Sequence, residues 1–476
     1  MSAKIQHFSE LSKFLSDKNS VSADFLHFLD AFRIGRSLQS LKMEKKKKGQ
    51  SSLALLQSLL IFRLCGMSIY KSYRHRFGGI IEGGKNQFYR FLERPKMNWR
   101  KLLISMAKAF VRLVAQKGEQ TSWLYAILDD TTLEKTGNSI EGITKVFDHT
   151  THRFVLGFKQ LVLAISDGKS TIPFDFSLHA ETHKDGKGGL TDKHRRNRRS
   201  VKRADDDCAK TRKSELKIKK TDAALQMLRR MCKHGILPKY LLMDKWFCTY
   251  AFIAEVRKIA RGAMQVITLL RDKRTRFIIN GKTKSAEMLC KEHAHNMHAC
   301  RQYNCRYYKV LAKLNGMNVV LFLVKYGRSG YEIILTTDTD LRFKQAFEHY
   351  QHRWSIEIMF KECKQYLDLG TCQSTNLNSQ IADCTLVFIG YNIIALKKRF
   401  SDYEVFGELY RETQREFYQL TLIERLLPII ADILDFALSF CDTTLSELMQ
   451  RIVNNEQSRE RIEIYFLKTI NMSKSA

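Results

Sequence analysis

Three acidic residues occupy positions where carboxylates can do metal chemistry. Asp130 follows the apolar stretch 124–128, Asp244 follows the apolar stretch 240–243, and Glu357 lies in a segment of helical periodicity. Carboxylates at strand ends are held rigidly yet stay open to solvent, which is how hard divalent cations are presented to a phosphate. A trio of carboxylates suits a pair of Mg²⁺ ions, because it leaves coordination positions for substrate oxygens. For any one of these acids taken alone, a solvated surface position is the simpler interpretation.

The helical segment around Glu357 strengthens the case. Tyr350, Arg353, Glu357 and Lys364 stand at offsets 0, 3, 7 and 14, and at about 100° per residue they project at roughly 0°, −60°, −20° and −40°. One face of the helix would then carry the Glu357 carboxylate, which can bind a metal ion. Beside it would lie three groups that can bind phosphate: the guanidinium of Arg353, the ammonium of Lys364 and the hydroxyl of Tyr350. A structural ion-pair stripe of Arg353, Glu357 and Lys361 is an alternative that the spacing also allows.

The elements that must hold these residues alternate between strands and helices. Short apolar or alternating stretches predict strands, and apolar residues at helical spacing predict helices. The predicted strands are 124–128, 154–165, 172–178, 240–243, 264–270 and 332–337, and the predicted helices are 221–234, 250–260 and 342–367. This order indicates an α/β fold. Residues 273–330 interrupt it with β-branched stretches and predict a small β insertion.

The residues before this core are predicted to be helical. Apolar spacing marks helices at 53–64, 69–77 and 86–93, with Gly66 ending the first and Ser68 capping the second. The third helix carries basic, amide and aromatic side chains, which can enter a major groove. A plain helical bundle explains the pattern about as well.

Charge points to a polyanionic partner. The 476 residues include 80 Lys or Arg and 49 Asp or Glu, a net charge of +31, so nucleic acid is the first partner to consider. Residues 184–220 alone hold 15 basic and 6 acidic side chains, a net charge of +9. We predict a basic loop there that is too charged to pack in a core. It is either a flexible exposed loop or an arm that grips the DNA backbone.

Composition also limits the compartment and the cofactors. The longest apolar stretch, 386–396, is interrupted by Gly390 and Asn392 and is too short to span a bilayer. The N-terminal residues lack the organisation of a secretory signal, and the 11 cysteines are scattered without framework spacing. A cytoplasmic protein with no membrane contact is therefore expected. The glycine-rich stretches lack a strand-then-helix phosphate fingerprint, so no nucleotide cofactor is predicted.

Three ordered motifs resemble those of a known family. The pattern Y-x2-R-x3-E-x6-K within YQHRWSIEIMFKECK resembles the signature of bacterial insertion-sequence transposases of the insertion-sequence-four group. LDDTT at 128–132 is similar to the first-aspartate motif of that group, and LMDKWF at 242–247 is similar to its second. The resemblance runs from about Lys85 to about Ser374. Three motifs in order at these separations are far more specific than one short pattern.

The resemblance implies a ribonuclease-H-like catalytic core that uses two Mg²⁺ or Mn²⁺ ions for cut-and-paste transposition. Double-stranded DNA is nicked at the transposon ends, and the freed 3′-hydroxyl then attacks the other strand or the target DNA. Two ends must be paired, which implies a homodimer on DNA. By the motifs, the catalytic metal ligands are Asp130, Asp244 and Glu357, and the groups that bind DNA phosphate are Tyr350, Arg353 and Lys364. Either Asp129 or Asp130 can be the first ligand.

One feature of the family pattern is missing. Some members carry a tryptophan in the β insertion that stacks on a flipped base, whereas the tryptophans here are Trp99, Trp123, Trp246 and Trp354. Aromatic residues of the insertion that can substitute for it are Tyr303, Tyr307, Tyr308 and Phe322. A hairpin intermediate in excision is thus left without support.

These observations predict a helical DNA-binding domain at 1–118 and a core at 119–272 and 331–400. The β insertion at 273–330 divides this core, and a helical region follows at 401–476. The predicted function is cleavage and strand transfer at terminal inverted repeats, in the bacterial cytoplasm close to the nucleoid. A ribonuclease-H-like nuclease without strand transfer is one alternative, and a DNA-binding regulator or inactive transposase relic is another.

Overall fold

The computed structural model describes residues 31–43, 49–74, 84–118 and 123–415, together with short stretches between 433 and 457. Residues 28–411 form one compact unit, and residues 1–27 with 412–476 form a second. In the second unit the helix Leu445–Asn454 is described, and it lies in the region 401–476 that the sequence predicts to be helical. The predicted helix 69–77 is described only as far as residue 74.

In the larger unit, helices come before, between and after the strands along the chain. They are α1 Ile34–Ser40, α2 Ser52–Leu64, α3 Ile69–Ser72, α4 Asn86–Leu92, α5 Trp99–Gln116, α6 Asp192–Asn197, α7 Ala209–Glu215, α8 Lys220–Lys233, α9 Tyr250–Ile259, α10 Ala286–Glu292, α11 Phe343–Gln351, α12 Trp354–Tyr366 and α13 Leu377–Arg399. The predicted boundary signals of the first helices are confirmed, because the Ser68 side chain accepts the N–H of Lys71 and Gly66 adopts a positive φ of 64°.

One mixed sheet of twelve strands runs through this unit. Its strands are β1 Tyr125–Glu134, β2 Thr144–Asp148, β3 Arg153–Ser166, β4 Thr171–His179, β5 Tyr240–Met243, β6 Gln265–Leu269, β7 Arg276–Ile279, β8 Lys282–Ser285, β9 His298–Cys300, β10 Cys305–Leu314, β11 Met317–Lys325 and β12 Tyr331–Thr336. The order is β2-β3-β1-β5-β6-β12-β11-β10-β7-β8, with β4 paired to β3 and β9 to β10. The predicted α/β class is confirmed.

The parallel centre of the sheet is the part that positions the acidic residues. β5 pairs in parallel with both β1 and β6, and the other pairings of the described strands are antiparallel. β5 is four residues long and all four are buried, as expected for a central parallel strand covered on both faces. β1 continues six residues past the end of this pairing, so its second half has no neighbour on the β5 side.

The single long helix predicted at 342–367 is wrong. The segment forms two helices, α11 and α12, separated by His352 and Arg353. The backbone tightens there, because the N–H groups of His352 and Arg353 bond to carbonyls three residues back. Tyr350 therefore lies at the end of α11, and Arg353 is the N-cap residue of α12.

The prediction of a basic loop at 184–220, too charged to pack, is also wrong in part. The segment contains α6 and α7, and some of its charged side chains are buried because they neutralise one another. Arg203 bonds to Glu141 and Asp207, and Arg212 lies beside Glu215. Sequence charge alone did not reveal that these partners would meet.

The β-rich stretch at 273–330 extends the central sheet. β10 and β11 pair along nine residues, and β11 then pairs with β12, which in turn pairs with β6. The described strand β2, which sequence patterning missed, pairs with the start of β3.

The longest helix of the described chain forms the centre of the hydrophobic core. α13 is long and apolar enough to cross a bilayer by length and composition, yet its most apolar window is wholly buried inside the protein. It packs against α2, α5 and β4. Such burial is typical of a core helix, which needs no membrane to cover its apolar surface.

Candidate active site

Two of the acidic segments meet at the carboxyl end of the parallel strand pair. In that pair Leu128 lies opposite Met243, so the residues that follow, Asp129 and Asp244, come next to each other in register. Residues opposite each other in parallel strands share a face of the sheet. Asp130 follows Asp129 along β1 and projects to the other face.

The glutamate of α12 is tied to this point by an arginine. Arg353 donates from Nη1 to Oδ2 of Asp129 at 2.9 Å and from Nη2 to Oε1 of Glu357 at 2.7 Å. The side chains of Arg353 and Asp129 are 13% and 14% exposed, so this contact is largely shielded from water. The predicted arginine and glutamate therefore do lie side by side, one turn apart, against the first aspartate segment.

Asp129 has an unusual environment for a carboxylate. Burial raises its pKa to about 7, and the negative charges of Asp130 and Asp244 add to the increase. Arg353 and the N–H of Asp130, which donates to Oδ1 at 2.8 Å, act in the opposite direction. Both oxygens of Asp129 are thus engaged in contacts within the protein.

Asp130 is held by a different cation. Its Oδ2 accepts from Nζ of Lys220, the first residue of α8, at 3.1 Å. The same Nζ lies 4.6 Å from the centre of the Trp246 ring. Lys220 therefore joins the first aspartate motif to the tryptophan that follows Asp244 by two positions.

Asp244 and Tyr350 complete the cluster. Asp244 caps the short 3₁₀ turn Lys245–Phe247, and its Oδ2 accepts the N–H of Trp246 at 3.0 Å. Burial raises the pKa of Tyr350 to about 12, opposed by Arg353 and reinforced by Asp244 and Asp129. Tyr350 consequently keeps its proton at neutral pH and offers an O–H donor.

Lys364 lies farther along α12 than the other predicted phosphate ligands. Its side chain is exposed and stands within electrostatic reach of Asp148 and Lys159. The structure thus brings Asp129, Asp244, Tyr350, Arg353 and Glu357 together at one site, which we call the crevice. Asp130 projects to the other face of β1, where it contacts Lys220, and Lys364 lies farther along α12.

The donor chemistry of this crevice suits a hard divalent cation. Carboxylate oxygens are the ligands that Mg²⁺ and Mn²⁺ prefer. As the side chains stand, the described part of the chain contains no group of three or more His, Cys, Asp or Glu residues arranged around one ion position. Lys220 contacts Asp130, and Arg353 contacts Asp129 and Glu357, so these two cations neutralise the carboxylates that a metal ion would bind.

Two features of the crevice were missed by sequence reasoning. The role of Lys220 was hidden inside the basic segment, where no spacing rule separates it from fourteen other cations. The alternation of a strand could have shown that Asp129 and Asp130 face opposite ways. Which of them faces α12 depends on tertiary packing.

The aromatic residues of the insertion that were considered for base stacking are occupied by packing. Tyr307 stacks on Phe343 with ring centres 4.0 Å apart, and Tyr308 stacks on His293 at 4.0 Å. Phe322 is fully buried. Tyr303 packs on Phe347 and donates to Glu348 at 2.6 Å.

A buried histidine next to the crevice predicts a pH-dependent stability. His179 lies opposite Lys159 in the β3–β4 pair, and burial lowers its pKa to about 4, helped by Lys220. Between pH 6.5 and 4 the unfolded chain takes up a proton that the folded chain refuses, so stability falls as pH drops through this window. We expect a loss of about 2 kcal/mol in the free energy of unfolding from pH 7 to pH 5.

Denaturant unfolding of the wild type and His179→Gln at both pH values measures this contribution. The variant should lose less stability on acidification than the wild type. Equal losses in the two proteins would show that His179 contributes nothing to the pH dependence.

Two family models match parts of the chain. Residues 215–393 match a family model described as "Transposase DDE domain", and residues 66–278 match one described as "DDE superfamily endonuclease". Both matches contain Asp244, the first also contains Glu357, and the second also contains Asp130. They support a DDE-type transposase or nuclease, and the large mixed sheet with flanking helices is consistent with a DDE nuclease fold. No curated protein matches the chain.

Proposed function

We propose that this protein is an insertion-sequence transposase of the insertion-sequence-four group. It binds the terminal inverted repeats of its element and catalyses metal-dependent DNA cleavage and strand transfer. The observation that carries the proposal is that Arg353 joins Asp129 of β1 to Glu357 of α12, while Asp244 at the end of β5 is close enough to act electrostatically on Asp129. A basic chain with a net charge of +31 supports DNA as the substrate.

The proposed domain architecture is that expected of such a transposase. A ribonuclease-H-like core comprises 119–272 and 331–400, and 273–330 is its β insertion. Residues 1–118 bind DNA, and the helical residues 401–476 are a candidate contact between subunits of a homodimer on DNA. Because its proposed substrate is chromosomal DNA, the proposed location is the bacterial cytoplasm, at the nucleoid.

The proposed metal ligands are Asp130, Asp244 and Glu357. In the described contacts each is held through one oxygen: by Lys220, by a backbone N–H and by Arg353, respectively. Asp130 is the proposed ligand from β1 because both oxygens of Asp129 already have partners, and Asp129, which lies on the face of Arg353 and Glu357, is the alternative. When bound, two Mg²⁺ or Mn²⁺ ions supply Lewis-acid stabilisation of the entering and leaving oxygens of the phosphodiester.

The remaining residues of the crevice bind and orient the DNA. Tyr350 donates a hydrogen bond from its neutral hydroxyl group to a phosphate oxygen. Arg353 has a planar fork that can exchange its carboxylate partners for a phosphate, and Lys364 adds a positive charge farther along α12. Together they set the scissile phosphate against the carboxylates.

Loss of a phosphate contact should weaken the reaction without abolishing it. We expect Arg353→Ala and Lys364→Ala to lower cleavage by roughly 10- to 100-fold and to reduce the salt dependence of DNA binding. Cleavage assays and binding titrations at several salt concentrations measure both effects. Lys344→Ala, which changes an exposed lysine of α11, is the control and should behave like the wild type. Unchanged binding and cleavage in both test variants would remove these residues from the DNA interface.

The test of the function supplies precleaved element ends, target plasmid and Mg²⁺. A transposase yields plasmid joined covalently to the ends. Hydrolysis of the DNA without joining would instead favour a ribonuclease-H-like nuclease. Specific, salt-sensitive binding with neither cleavage nor joining would favour a DNA-binding regulator or an inactive relic.

A further inference from the structure

Trp246 presents an open aromatic surface beside the proposed metal ligands. Its side chain is 40% exposed, although it lies two residues from Asp244 at the centre of the fold. Phe247 beneath it is buried, with the two rings 4.9 Å apart and nearly perpendicular. The backbone N–H of Trp246 is fixed by Asp244. The ring is thus held in place from below and remains accessible from outside.

Lys220 connects this ring to the reaction centre. Its ammonium group lies over the Trp246 ring and on Asp130 at the same time, at 4.6 Å from the ring centre and 3.1 Å from Oδ2. The side chains of Lys220 and Asp130 are 21% and 20% exposed, so DNA can reach them. A group that replaces the ammonium over the ring would also release the carboxylate.

We propose that Trp246 is a stacking surface for one unpaired nucleobase of the strand bound at the active site. The base takes the place of the Lys220 ammonium over the ring, and Lys220 then pairs with a phosphate of the same strand. This inference rests on the proposed function, because it requires a DNA strand at the carboxylates.

The chemistry of stacking selects the occupant. Within a duplex both faces of a base are covered by neighbouring bases, and only the edges are open to protein. A ring can stack face to face only on a base that has left the helix or that lies in a single-stranded tail. Such stacking tolerates any base, because each has a π face. The strand that supplies the base also supplies a phosphate for Lys220, which offsets the loss of its contacts with the ring and with Asp130.

Tryptophan fluorescence tests the inference without any cleavage. The protein used is the Glu357→Gln variant, and Mg²⁺ is present. One probe is a DNA duplex with a three-nucleotide single-stranded tail, and the other is the same duplex with a blunt end. We expect the tail to quench tryptophan emission beyond the blunt duplex. Trp246→Phe should lose most of this additional quenching, whereas Trp354→Phe, which changes another exposed tryptophan, should retain it.

Affinity supplies an independent measurement. Trp246→Ala should weaken binding of the tailed duplex by roughly 5- to 100-fold while leaving the blunt duplex nearly unchanged. Tyr250→Ala, which removes an exposed aromatic ring from the start of α9, is the matched control and should bind both DNAs normally. Lys220→Met should keep the quenching and lower the affinity for the tailed duplex.

The outcomes separate this inference from the proposed function. Quenching that depends on Trp246 in a protein whose wild type cleaves no DNA would support the stacking surface and contradict the transposase. Normal cleavage with quenching that survives Trp246→Phe, or that disappears in Trp354→Phe instead, would overturn the stacking surface alone.

Discussion

Asp244→Asn and Glu357→Gln should each lower DNA cleavage by at least roughly 1000-fold, equivalent to about 4 kcal/mol of transition-state stabilisation. Each substitution removes a negative charge and retains the size of the side chain. The carboxylates of both residues face the crevice, where Asp244 acts on Asp129 and Tyr350 and Glu357 contacts Arg353. Loss of either charge weakens cation binding where the phosphodiester must be held.

Binding and folding measurements accompany the cleavage assay. End binding in a gel-shift assay and the midpoint of thermal unfolding should stay near the wild-type values, because neither change reaches the hydrophobic core. Glu348→Gln, which changes an exposed carboxylate of α11, is the control and should cleave normally. Cleavage at the wild-type rate by Asp244→Asn or Glu357→Gln would remove that residue from the catalytic group.

The same assay decides between the neighbouring aspartates of β1. Asp130→Asn should abolish cleavage as completely as the other two substitutions, whereas Asp129→Asn should weaken it by loosening Arg353. The opposite ranking would make Asp129 the ligand, which its position on the face of Arg353 and Glu357 would then explain. Both variants keep the backbone of β1, so each reports on one carboxylate.

Sequence patterns predicted the strands that carry these residues because burial imposes a strong local signal. The stretches 124–128 and 240–243 are continuously apolar, and each is followed by an aspartate where the buried strand pair ends. The break at His352 and Arg353 carries no proline or glycine and so gave no local signal. Contacts such as Lys220 with Asp130 join residues 90 positions apart, and their pairing depends on the folded sheet.

The basic segment shows most clearly where local reasoning failed. Its net charge of +9 predicts solvent exposure, and much of it is exposed. Yet Arg212 and Glu215 are buried, because β4 supplies Asp175 and α5 supplies Arg100 to complete a neutralising network. Composition counts charges within a window, whereas burial depends on partners from outside it.

We expect Asp175→Asn to destabilise the fold strongly, by about 3–5 kcal/mol in the free energy of unfolding. Asp175 is 1% exposed and accepts from Arg100 Nε at 2.9 Å and from Arg230 Nε at 2.7 Å, with Arg212 at 4.0 Å. These arginines hold the pKa of Asp175 below its ordinary value in spite of burial. An amide in its place leaves three guanidinium groups with the single negative charge of Glu215, which contacts Arg100 and Arg212.

Denaturant unfolding of Asp175→Asn measures this loss of stability. The control is Glu255→Gln, which breaks the exposed ion pair of Glu255 with Arg229 and should change stability little.

The network also fixes α8, through Arg230, and α8 begins at Lys220. Asp175→Asn should therefore also weaken the placement of Lys220 on Asp130, so cleavage falls even at temperatures where the variant remains folded. A variant as stable as the wild type would mean that the arginines find other partners. Full cleavage activity in a destabilised variant would separate the network from the active site.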